Sequence, residues 1–101
     1  MAFDEYVGMT LGQVIEILDI PDLISEKKIN YDYLPTPVEP PYFIFFSENE
    51  LKTGVTIKLA RWIFNKGRTE ILVWLKETDG EYIVFTSKRS RINNNRLKVY
   101  L

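Results

Sequence analysis

Cysteine and histidine are both absent from this 101-residue chain, and the two absences remove a large part of protein chemistry. Without cysteine there are no disulfides, thiolate metal sites or thiol nucleophiles. Without histidine the commonest neutral-pH general base and metal ligand is missing. No apolar run approaches the roughly 18–20 residues of a membrane span. The opening Met1-Ala2-Phe3-Asp4-Glu5 is acidic where a signal peptide would be basic. The five glycines, at 8, 12, 54, 67 and 80, form neither a dinucleotide fingerprint nor a phosphate loop. The expectation is a cytoplasmic, non-enzymatic single domain over residues 1–101, with no metal and no cofactor and a core large enough to fold unaided.

What the chain does have is charge, and the charge is sorted. Residues 1–50 carry ten acids against Lys27 and Lys28, a formal −8, whereas residues 51–101 carry eleven cations against four acids, a formal +7. A total of −1 therefore conceals a segregation of the kind that steers association with charged partners. Binding follows from it more readily than catalysis.

The element pattern begins at Thr10-Leu11-Gly12-Gln13, which has the form of a capping box. Leu11, Val14, Ile15 and Leu18 then share one helical face until Pro21 ends the helix. Ile29, Tyr31 and Tyr33 alternate with polar residues and predict a strand; four prolines between 35 and 41 predict an extended connection. Tyr42–Phe46, apolar throughout, reads as a strand covered on both sides. From Val55 on, alternation and the turn signals Asn65-Lys66-Gly67 and Asp79-Gly80 predict strands over 55–64, 71–75 and 82–86. Ser87–Asn95 reads as a basic loop before a last edge strand, Leu97–Leu101. The fold class expected is α+β: one antiparallel meander of five to six strands with one N-terminal helix, and room for a second short one, packed on a face.

Candidate chemistry is sparse. Pro21-Asp22 followed by Glu26-Lys27-Lys28 has the composition of a metal-dependent nuclease signature, but three intervening residues cannot supply strand, turn and strand. The pairs Glu48/Glu50 and Glu70/Glu77 lack any cue for a shared pocket and read as surface carboxylates. The aromatic stripe Tyr42, Phe43, Phe45, Phe46, Trp62, Phe64, Trp74 and Phe85 reads as core. The basic cluster Lys88, Arg89, Arg91 and Arg96 could follow a phosphate backbone, with Tyr82, Phe85 and Tyr100 available to stack bases. A pI near 5.4 and the acidic half weigh against that use. The acidic segment 16–32, interleaved with Tyr31 and Tyr33, has the composition of a polar protein interface.

Val7-Gly8-Met9-Thr10-Leu11-Gly12-Gln13-Val14-Ile15-Glu16-Ile17-Leu18, ending in Ile20-Pro21-Asp22, resembles the opening of small bacterial toxin-immunity proteins. Gly54-Val55-Thr56-Ile57, Trp62–Gly67 and Ile71–Leu75 are similar to the strand, turn and strand that follow in them. Outer-membrane lipoprotein assembly factors open similarly, but need a signal peptide and a lipidated cysteine. The chain looks most like the immunity partners of contact-dependent growth inhibition toxins, whose toxic domains are commonly nucleases. The resemblance implies a partner with a basic active-site surface, to be masked by an acidic one without membrane involvement. Glu16, Asp19, Asp22, Glu26 and Asp32 are the expected toxin-facing acids, and Tyr31 and Tyr33 the expected aromatic anchors. The alternative is a small nucleic-acid-binding or regulatory module using the basic loop 88–96. Toxin identity and oligomeric state stay open at this point.

Overall fold

A computed structural model describes residues 5–92 and 98–100. The elements run α1 (Leu11–Leu18), β1 (Leu23–Ile29), α2 (Tyr42–Phe45), α3 (Glu48–Thr53), β2 (Val55–Phe64), β3 (Thr69–Thr78) and β4 (Glu81–Ile92). The four strands pair antiparallel in chain order, and the three residues Lys98–Tyr100 continue the ladder along Ser90–Ile92. This α+β architecture corrects the expected five to six strands to a four-strand meander, and the expected one or two helices to three.

The local signals explain the successes. Thr10 Oγ1 accepts from the Gln13 amide at 3.1 Å, and Gln13 Oε1 accepts from the Thr10 amide at 2.9 Å. The helix stops where Asp19, at φ 74°, donates its amide to the Ile15 carbonyl just ahead of Pro21. Thr10→Ala is expected to cost about 1 kcal/mol in a denaturant titration. Asp79 and Gly80, at φ 53° and 86°, form the two-residue hairpin turn that Asp-Gly requires.

Four segments depart from expectation. The strand predicted around Ile29–Tyr33 ends at Ile29, and its body lies upstream in Leu23–Ile29. Tyr42–Phe46 is not a strand: a short helix turns Tyr42 and Phe46 inward and leaves Phe43 and Ile44 exposed. Phe43 and the half-exposed Phe45 are thereby removed from the expected core. The polar stretch after it is helix α3, capped by Ser47 and Glu50 in a second capping box. The predicted loop 87–95 is, as far as Ile92, the second half of β4, while Asn93–Asn95 lie outside the described residues.

Both faces of the sheet are covered. On one, Val14 and Tyr6 pack with Ala60, Trp62, Ile71, Val73, Leu75 and Val84. On the other, Tyr42, Phe46 and Leu51 pack with Ile29, Val55, Ile57, Leu72 and Trp74. Burial on both sides is why Ile71–Leu75 reads as unbroken apolar sequence. A bulge places Thr86 opposite Trp74 and Val84 opposite Leu75, so Phe85 is the extra residue. Its ring swings into the second core, with centroids 5.0 Å from Phe46 and 5.1 Å from Phe45. The outer margin of β4 is lined at Ile83 and Val84 by Gly8–Thr10, whose amides and carbonyls pair with them, and at Ser90–Ile92 by Lys98–Tyr100. Among the described residues β1 has a strand partner on one side alone.

Candidate protein-binding surface

Among the described acidic residues five are ion-paired, five in the 16–32 segment are not, and Glu77, Asp79 and Glu81 around the β3–β4 hairpin are also without an ion pair. Glu5 pairs with Arg89, Glu39 with Lys27, Glu48 with Lys52, Glu50 with Lys76 and Glu70 with Arg61. Glu16, Asp19, Asp22, Glu26 and Asp32 have no ion-pair partner among the described residues, and these are the five expected to face a partner. Asp19 accepts from the Ile20 amide at 2.9 Å and Asp22 from the Ile63 amide at 2.7 Å. Those bonds fix the two carboxylates without neutralising them.

Four of the five occupy one stretch. Glu16 is exposed on α1, Asp19 and Asp22 stand in the connection to β1, and Glu26 is exposed on the same side of the sheet as α1. The Trp62 indole, almost fully buried, donates to the Asp19 carbonyl at 2.7 Å and ties the end of α1 to the sheet. Between these acids, Ile17, Ile20, Leu23 and Ile24 are 45–77% exposed. Sequence reasoning missed the four apolar residues. Ile17 does carry a signal, since it falls off the Leu11, Val14, Ile15, Leu18 face and has no place in the core.

The other expected residues stand apart from this stretch. Tyr31, Asp32 and Tyr33 follow the far end of β1, whose seven residues span roughly 20 Å. Tyr31 is exposed and its amide donates to the Leu51 carbonyl. Tyr33 turns inward, where its hydroxyl donates to Glu39 at 2.7 Å. The Glu39 carboxylate, 6% exposed, also receives the Tyr42 hydroxyl at 2.7 Å, the Thr36 amide at 3.0 Å and the Lys27 ammonium at 3.2 Å. Burial alone would raise its pKa. The Thr36 amide, the Tyr42 and Tyr33 hydroxyls and Lys27 outweigh burial and hold it at about 2. The same carboxylate, together with burial, raises the pKa of Tyr42. Tyr33 is thus a structural strut, and beside it Tyr31, Phe43, Phe46, Glu48 and Leu51 line an open groove of about 300 Å³.

Known protein families, curated proteins and solved structures yield no match to this chain. What the surface does must therefore be argued from its own chemistry.

The basic residues of the alternative reading do not assemble. Lys88 lies across from Leu72 on the α2/α3 face and donates to the Val38 carbonyl at 3.1 Å. Arg89, across from Ile71 on the α1 face, is held by Glu5. Arg91 shares the α1 face and is exposed; Arg96 lies outside the described residues. A strand alternates its side chains, so a basic run on β4 is divided between two faces. The carboxylate pairs fare no better as acid and base. The Glu50 carboxylate is engaged by Lys76 and accepts from the Ser47 amide, while Glu70 is buried against Arg61 and the Ser90 hydroxyl. Seven residues of β3 put Glu77 roughly 23 Å from Glu70.

Proposed function

We propose that this chain is a binding protein of the toxin-immunity kind, which neutralises a cationic protein domain by covering its active-site surface. The observation that supports the reading is the sorting of the acids. Glu5, Glu39, Glu48, Glu50 and Glu70 are engaged by cations, while Glu16, Asp19, Asp22 and Glu26 have no ion pair among the described residues and stand in one stretch with exposed isoleucine and leucine side chains; the other unpaired acids, Glu77, Asp79 and Glu81, lie around the β3–β4 hairpin. Unpaired acids speed encounter with a basic surface, and apolar groups desolvated on contact slow its departure. A nuclease fits as the antagonist because a site that attracts phosphate must be basic.

The test is protection from a toxin domain, sought in the reading frame next to this gene. Coexpression of the chain is expected to restore growth of cells making that domain. Glu16→Lys with Glu26→Lys is expected to weaken the complex about 100-fold, at about 1.4 kcal/mol for each reversal, and to abolish protection. These two positions are chosen because neither carboxylate holds a backbone amide, unlike Asp19 and Asp22. Unchanged affinity in the double variant would take the acidic surface out of the reading. A neighbouring frame with no toxic domain would take the toxin out of it.

A further inference from the structure

A second surface, independent of the acidic one, lies at the β2–β3 turn. Asn65, Lys66, Arg68, Thr69 and Arg91 line an open cleft of about 520 Å³, and no lining residue is acidic. Lys66, Arg68 and Arg91 are exposed, and none of them has an ion-pair partner among the described residues. The sequence separates Arg91 from the other two by more than twenty positions, but the register pairs Thr69 with Arg91 and so brings β4 alongside the turn. Side chains directly opposite in an antiparallel ladder share a face, which places Arg91 beside Thr69.

The turn itself is unusual. The Gly67 amide donates to the Phe64 carbonyl at 3.1 Å, and both central residues, Asn65 and Lys66, have left-handed backbones at φ 54° and 58°. A turn of this shape favours Asn followed by Gly. Lysine takes the glycine position, although a side chain there is conformationally disfavoured. The turn is held by a bond from the Asn65 amide group to the Thr69 hydroxyl at 3.2 Å, and by the Arg68 amide on the Asn65 carbonyl at 3.2 Å. Two like charges on a fixed turn and a third on the adjacent strand repel one another unless an anion joins them.

We propose that this cleft is an anion site that takes a phosphate group, either free or in a nucleic-acid strand. Two guanidinium groups offer paired donors to phosphate oxygens, Lys66 adds a compact charge, and Asn65 and Thr69 add neutral hydrogen-bonding groups. The site is not the basic run of the alternative reading: it keeps Arg91 from that run and recruits Lys66 and Arg68 from the turn.

The full chain, isotopically labelled, is titrated with inorganic phosphate and separately with a short single-stranded DNA, following the amides of Gly67, Arg68 and Thr69. Saturable shifts at these amides are expected with either probe. Lys66→Gln, Arg68→Gln and Arg91→Gln together are expected to weaken binding about tenfold or more and to reduce the salt slope for DNA by about 2. Lys28→Gln, Lys52→Gln and Lys58→Gln remove equal charge elsewhere and are expected to leave affinity within about twofold. Tighter binding of DNA than of phosphate assigns the site to a strand, and equal binding assigns it to the free anion. Equal weakening by both triple variants, or no shift at the turn with either probe, overturns the proposal.

Discussion

Alanine at position 39 is expected to lower the unfolding free energy by about 3 kcal/mol, a large share of the roughly 5–15 kcal/mol of an ordinary domain. The Glu39 carboxylate is the common acceptor for two tyrosine hydroxyls, one backbone amide and one ammonium. Its removal takes away the acceptor of the hydroxyl of Tyr42, a residue 4% exposed, and releases Tyr33 and the 34–41 segment. The pH dependence follows from the same bonds. With a folded pKa of about 2 against an ordinary value near 4.5, the ionised group stabilises the fold fully above about pH 4.5. That contribution is lost as pH falls from 4.5 through 2, and about 2.5 units correspond to about 3 kcal/mol. Glu39→Gln, which keeps the shape and removes the charge, should flatten the stability profile in that interval. Urea titrations at pH 7, 4 and 2.5 measure it. Parallel wild-type and Glu39→Gln profiles would show that the carboxylate does not carry this acid sensitivity.

Trp62→Ala is expected to cost 3–5 kcal/mol, the range for deleting a large buried ring. The side chain is 1% exposed and belongs to the core beneath α1. Trp62→Phe separates packing from hydrogen bonding. It retains most of the buried ring but loses the donor to the Asp19 carbonyl, for about 1 kcal/mol. Hydrogen exchange is expected to rise most at the last turn of α1, including the Asp19 amide. If the acidic surface binds a partner as proposed, the phenylalanine variant should also bind it more weakly, because Asp19 and its neighbours lose their anchor. Exchange rates unchanged in that turn would show that the indole does not hold it.

Strong local chemistry was legible in the sequence. Thr10 with Gln13, Pro21 after α1, and Asp79-Gly80 each specify one backbone geometry, and those geometries are present. The errors came where two structures share one pattern. Tyr42–Phe46 is apolar at every position, which suits a doubly covered strand and a short helix equally; Pro40 and Pro41 before it and the Ser47 cap after it favour the helix. β1 went unread because Glu26, Lys27 and Lys28 sit in a marginal strand, where polar residues are normal. The length of β4 was hidden by Ser87 and Ser90, polar residues that are nevertheless buried.

Charge was legible as an amount but not as a place. The split between the two halves of the sequence is not a split in space, because Glu5 reaches Arg89 and Glu50 reaches Lys76 across the chain midpoint. The meander lays the acidic β1 region directly against β2. The acids of 16–26 did emerge unpaired, but Asp32, Tyr31 and Tyr33 stand at the other end of β1. No sequence spacing could have joined Lys66 and Arg68 to Arg91, since their proximity depends on the pairing of β3 with β4.

The unequal margins of the sheet limit how copies of this chain can assemble. Indefinite fibres built edge to edge need two open sides on every molecule, one to receive and one to offer. Gly8–Thr10 line β4 at Ile83 and Val84 and Lys98–Tyr100 line it at Ser90–Ile92, whereas β1 is without a second strand neighbour along its whole length among the described residues. Two copies joined β1 to β1 would use up that ladder in both molecules, leaving the partly lined β4 side for any further growth.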